Sequence, residues 1–273
     1  MRAVYRVARA TFFEAWRRRF LNAILVFAVL LIGSSWSFAY LQPGAELKLL
    51  VDIGLGSIRF FGMLIAIFLG VRLIADEMEK RTIHTLLAKP VTRTQFLFGK
   101  FLGALATVWS NIALMGIAFY VVFALKAPQF REISADKGPT VHMAFMYANI
   151  AKAIGLSFLE VGCIVAISVM ASTIFSWILA AIFSFFIYFI GQMVDFFRTL
   201  ATNQERVTSA LQRGLFAILY AVLPHFEIFD VREAIVKDQF LPWTVLGKIV
   251  VTAVLYMCIA MGIAWLMFKN REV

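Results

Sequence analysis

The sequence predicts an all-α integral membrane protein with six transmembrane helices, and three observations carry that expectation. Of 273 residues, 62 % are hydrophobic and only 15 % are charged, and the mean hydropathy of +0.85 lies far above that of soluble domains. The apolar residues gather in runs of about 20, the length a helix needs to cross hydrocarbon with its backbone bonds satisfied internally. The basic residues behind the net charge of +10 flank those runs. That placement suits a lipid surface and topology signals, and it sets nucleic acid aside as a partner.

Residues 2–19 open the chain as a helix lying on the membrane. At 100° per residue Tyr5, Ala8, Phe12, Ala15 and Trp16 form one stripe, with Arg2, Arg6, Arg9 and Arg17 beside it, the pattern of an interfacial helix. Six spans follow: Phe20–Tyr40, Gly56–Ile74, Leu102–Leu125, Ile150–Ser172, Phe175–Val194 and Ile249–Phe268. In the second, 12 residues separate Arg59 from Arg72, and both are expected to snorkel towards the interfaces. The run "LFAILYAVLP", Leu215–Pro224, is too short to cross and reads as a re-entrant segment or as a helix packed over the bundle. The chain therefore reads as one membrane domain over 1–273, with an interfacial helix at 1–19, a charged loop at 75–100 and an outward segment at 195–243. The short N-terminal tail carries six arginines and residues 75–100 carry five basic residues, whereas the loop 41–55 has only Lys48. Both termini and the 75–100 loop are accordingly expected in the cytoplasm.

Familiar catalytic constellations are missing. No G-x-x-x-x-G-K-[ST] phosphate loop, H-E-x-x-H or G-x-S-x-G elbow occurs, and His84, His142 and His225 lie far apart. Nothing in the sequence points to an enzyme or a metal site. Cys163 and Cys258 both fall inside apolar runs and say nothing of redox compartment. Glu160 is the anomaly, because it sits midway along the fourth span, where an ionised group is costly and usually faces the bundle interior. It reads either as a carboxylate on a substrate or proton path, or as a hydrogen-bonded packing group. Asn111 on the third span reads as an interhelical hydrogen-bonding group and shares the candidate substrate path. Gly62, Ala66 and Gly70, and then Gly99 and Gly103, recur every four residues, a spacing that lets helices approach closely.

The stretch "ADEMEKRTIHTLLAKPVTRTQFLFGK", residues 75–100, is the most distinctive. Thr82 can cap a short helix whose Ile83, Leu86 and Leu87 share a face, and Pro90 ends it. An apolar face ringed by charge suits docking into a groove on a partner protein. Glu77, Glu79, Thr82, Ile83, Leu86, Leu87, Pro90, Val91, Thr92, Arg93, Gly99 and Lys100 resemble the cytoplasmic loop of the permease subunits of type 2 ATP-binding-cassette (ABC) exporters. That pattern runs E-x-E-x-G-T-[LI]-x-x-L-L-x-x-P-[VI]-[ST]-R and closes on G-K. Arg81 departs from it, standing where the family usually has glycine. The segment "LPHFEIFDVREA" before the last span looks like that of the nitrous-oxide-reductase maturation and gliding-motility permease groups.

The resemblance implies a bacterial inner-membrane permease without enzymatic activity or a cofactor of its own. Its ATPase-coupling residues would be Glu77, Glu79, Arg81, Thr82, Ile83, Leu86, Leu87, Pro90 and Arg93, and ATP and Mg would sit on a separate ATPase subunit. A second permease copy in a homodimer or heterodimer is implied too, and a periplasmic accessory protein is a further candidate partner. Three functions compete on the sequence: an ATP-driven exporter of unidentified substrate, a non-transporting ATPase-coupled scaffold for envelope assembly, and an intramembrane enzyme, which lacks a catalytic constellation.

Overall fold

The computed structural model describes residues 2–38, 45–79, 92–137, 143–202, 210–237, 239 and 241–270. The described chain is helical: α1 Arg2–Trp16, α2 Arg19–Phe38, α3 Glu46–Glu79, α4 Arg93–Lys137, α5 Met143–Ile174, α6 Trp177–Gly191, α7 Val194–Thr202, α8 Ala210–Val222, a 3-10 turn Phe226–Phe229, α9 Arg232–Val236 and α10 Trp243–Asn270. Five helices are long and apolar enough to cross a membrane: α2, α3 over Glu46–Leu73, α4 over Arg93–Pro128, α5 over Met146–Ile174 and α10 over Trp243–Lys269.

Two expected elements are bent. The span expected over Phe175–Val194 breaks at Gln192–Met193, where α6 and α7 meet at 56°. The short run ending at Pro224 becomes α8, which turns by 49° into the segment Phe226–Val236. Each bent pair is apolar enough to count as a broken span or a re-entrant loop.

α3 and α5 form the centre, with 72 % of each apolar window buried against 22 % for α2 and 28 % for α10. Small residues make that contact close. A Cβ on Gly62 would lie 3.1 Å from Val161 Cγ2, one on Gly70 would lie 2.7 Å from Ser168 Cβ, and Ala66 between them is fully buried. Hydrocarbon supplies no hydrophobic drive between spans, so intimate packing of this kind is a main source of their association. The outer helices turn Phe27, Leu30, Ile117, Leu125, Val251 and Ile259 outwards, as lipid-facing surfaces require.

The stripe read on α1 divides between outside and inside. Tyr5 and Trp16 are exposed, whereas Thr11 and Ala15 are buried. The packing face is Val4, Val7, Thr11 and Ala15, which docks on the start of α4. A Cβ at Gly99 would stand 2.7 Å from Val7 Cβ, and one at Gly103 would stand 2.6 Å from the Ala8 carbonyl oxygen. α1 thus carries three faces, one small for α4, one aromatic and one basic. The start of α4 is itself sharply punctuated. Thr92 Oγ1 accepts from the Gln95 amide at 3.3 Å, and Gln95 Oε1 accepts from the Thr92 amide at 3.2 Å, a reciprocal cap.

Candidate functional site

Four charged side chains meet inside the bundle. Arg59 of α3 donates from Nε to Glu160 Oε2 and from one Nη to Glu160 Oε1, both at 2.7 Å. Its other Nη lies 2.7 Å from Asp230 Oδ2. Asp230 in turn accepts from Arg232 Nε at 2.9 Å, and Gln192 Nε2 donates to Glu160 Oε1 at 2.8 Å. Glu160 is fully buried and Arg59 is 7 % exposed. Isolated charges would be prohibitive at that depth, but a bidentate fork with every strong acceptor filled is a viable arrangement. Two guanidiniums and two carboxylates leave the cluster neutral.

Arg59 therefore does not snorkel, contrary to expectation; it turns inward because a carboxylate on the neighbouring central helix reaches it. Arg72 does keep to the edge, exposed with its guanidinium 5.6 Å from the Trp177 ring centroid. What brings Asp230 in is the approach of the 224–230 segment to the end of α6. A Cβ on Gly191 would sit 2.7 Å from the Pro224 carbonyl oxygen and 2.5 Å from Phe226 Cδ2, so a side chain there would push the segment away. Gly56, one turn before Arg59, similarly leaves room for Arg232, whose Nη lies 3.3 Å from where a Cβ would be. The chain just after this segment is tied to α5 as well. Asn149 Nδ2 donates to the Gln239 carbonyl at 3.1 Å and Lys152 Nζ to the Leu241 carbonyl at 2.9 Å.

Residues 9–273 match the family described as ABC-2 family transporter protein. The chain belongs to this ABC-2 transporter family. Its relatives include the probable ABC transporter permease protein NosY of Pseudomonas aeruginosa, 32 % identical over 169 residues, covering 60 % of this chain and 57 % of that protein. The protein of the same name in Stutzerimonas stutzeri is 38 % identical over 107 residues, covering 38 % of this chain and 39 % of that protein. The chain thus spans less than two thirds of the length of these relatives. The family and the apolar helices together make it a multi-pass ABC transporter permease.

Within this ABC-2 permease the other sequence-predicted residues fall as follows. Glu77 and Glu79 lie on the last turn of α3, and Arg93 opens α4. Arg81, Thr82, Ile83, Leu86, Leu87 and Pro90 lie outside the described residues, as do His84 and His142. Asn111 is buried, but its Nδ2 donates at 2.8 Å to the Thr107 carbonyl one turn back on its own helix; the interhelical donor between α4 and α5 is Trp109, whose Nε1 reaches the Phe158 carbonyl at 2.9 Å. His225 meets the Tyr256 hydroxyl at 3.1 Å. Among the described residues no group of His, Cys, Asp and Glu could hold a metal ion. The sequence reading missed Gln192, Asp230 and Arg232. The signal for them was a count of opposite charges: a carboxylate and an arginine each inside an apolar span invite pairing, and "FDVRE" carries the next pair.

Proposed function

We propose that this permease couples ATP hydrolysis by a separate ATPase subunit to export across the bacterial inner membrane, as one of two permease copies. The ATP and Mg belong to the partner. Residues 77–93 dock on it through Ile83, Leu86 and Leu87, with both termini on the same cytoplasmic side. The observation that carries the reading is the joining of distant parts by one buried ion cluster. Arg59 and Glu160 link the two central helices, and Asp230 adds the segment before the last span. α3 runs without a break from that cluster to Glu79, at the edge of the docking segment. A push on the segment therefore has a stiff helical path to the outer end of the bundle.

Glu160 then works as part of a latch and not as a substrate contact, since Arg59 occupies both of its oxygens and Gln192 adds a third donor. That same feature supports a second reading, in which the permease transmits movement to an envelope partner and conducts no cargo. Co-expression of the tagged chain with its ATPase tests the coupling they share. The expected product is an assembly of two permeases and two ATPases by native mass; an active permease free of any ATPase would overturn both readings. Transport of cargo into vesicles by that assembly separates the first from the second.

A further inference from the structure

Where α1 meets α2, a cavity of about 430 Å³ opens between them, residues 68–72 of α3 and the start of α6. Arg18, Arg72 and Trp177 line it together with Phe20, Phe68 and Leu69. We propose that this cavity holds the headgroup of an anionic phospholipid from the leaflet on the α1 side.

The level of the cavity is the first support. Arg18 immediately precedes α2, Arg72 is one residue from the end of the apolar stretch of α3, and Trp177 is the first residue of α6. The apolar stretches of all three begin or end there, at the boundary where headgroups lie and where aromatic and basic residues concentrate. Chemistry is the second support. Two guanidiniums line one cavity, and each offers planar donors that match a phosphate. Arg18 also donates to Glu14 at 2.9 Å, so one carboxylate offsets part of that charge. The first turn of α6 adds to it, since Ser176 makes no side-chain cap bond, and uncapped amides at a helix start favour an anion. Shape is the third support. Phe20 and Phe68 meet edge to face at 5.1 Å, and Phe20 is 57 % exposed. A phosphate held by the arginines would leave its acyl chains against this aromatic wall. A soluble anion would have no use for such a wall, which is why the assigned ligand is a lipid. Such a site serves the chain whatever cargo it moves.

Native mass spectrometry of the full-length protein, assembled with its ATPase, tests this. The complex is titrated with phosphatidylglycerol, with phosphatidylcholine of the same acyl chains, and with glycerol 3-phosphate. Phosphatidylglycerol should bind preferentially. The double variant Arg18→Gln with Arg72→Gln should weaken that binding about thirtyfold, at about fivefold per basic residue near an anionic surface. Arg18→Lys with Arg72→Lys keeps the charge without the planar donors and should bind between the parent and the double glutamine variant, which guards against misfolding. Arg6→Gln with Arg9→Gln removes equal charge from exposed positions of α1 and should leave it unchanged. Equal binding of both lipids, an equal loss in the Arg6 and Arg9 control, or displacement by glycerol 3-phosphate at comparable concentration would each overturn the assignment. So would loss of the ATPase or the second permease from the Arg18 and Arg72 variant with lipid binding intact, which would make the cavity a protein interface.

Discussion

Replacing Glu160 by glutamine is the sharpest test of the buried cluster. Three donors converge on this carboxylate: Nε and one Nη of Arg59 at 2.7 Å, and Gln192 Nε2 at 2.8 Å. A glutamine has one oxygen to receive them, and its own NH₂ must face a donor. At least one buried N–H is orphaned, at about 1–3 kcal/mol, and Arg59 loses its better-buried counter-ion. Breaking a buried pair by removing one partner costs about 3–5 kcal/mol. Asp230 still compensates Arg59, so the low end, about 3 kcal/mol, is expected. The double variant Arg59→Met with Glu160→Met removes both charges and leaves Asp230 with Arg232. It should therefore recover to within about 1 kcal/mol of the unmodified chain, because an apolar pair of similar volume often matches a buried ion pair. Reversible unfolding in mixed micelles, followed by tryptophan fluorescence, reads both. A single variant as stable as the parent, or a double variant less stable than the single, would refute the reasoning. If the cluster is a latch, the well-folded double variant should also hydrolyse ATP without moving cargo.

Two further outcomes follow from other parts of the chain. In a Cys258→Ser background, cysteines placed at Lys89 and Lys137 should label from opposite sides with an impermeant thiol reagent; external labelling of both would contradict the orientation expected from the arginine-rich N-terminal tail. Gly103→Ala should loosen α1, because its Cβ would fall 2.6 Å from the Ala8 carbonyl oxygen; a cost of about 1–3 kcal/mol and faster tryptic cleavage at Arg6 and Arg9 are expected. Gly262→Ala, with nothing within 4 Å of the new Cβ, should be neutral or slightly stabilising by the same measurements.

The membrane class, the small-residue contacts and the place of the long spans were legible because each rests on local pattern. Gly62, Ala66 and Gly70 announced close packing, and α3 does lie against Val161 and Ser168 at those positions. Partner choice was less legible. The aromatic stripe of α1 dominates its helical pattern, yet the packing face is the quieter Val7 and Thr11, since a glycine-lined groove on α4 accepts small residues and not rings. Arg59 looked like a residue bound for the interface because its partner lies 101 positions away in sequence. Glu160 was visible as an anomaly, but the arrival of Gln192 beside it depends on the bend after Gly191, and that of Asp230 beside Arg59 on the return of the 224–230 segment. Tertiary contacts made both, and hydropathy alone carries no trace of them.

The most direct measurement of ATP coupling is made on the assembled complex with Leu86→Ser and Leu87→Ser introduced together. Burying a leucine contributes about 1.5–3 kcal/mol, so losing two anchors should weaken docking strongly, while charge reversal at Arg93, at a rim position worth about 0–1 kcal/mol, should do little. The account predicts a permease that inserts and folds normally but no longer retains its ATPase or stimulates hydrolysis. A double variant that holds its ATPase and transports at the parental rate would contradict it.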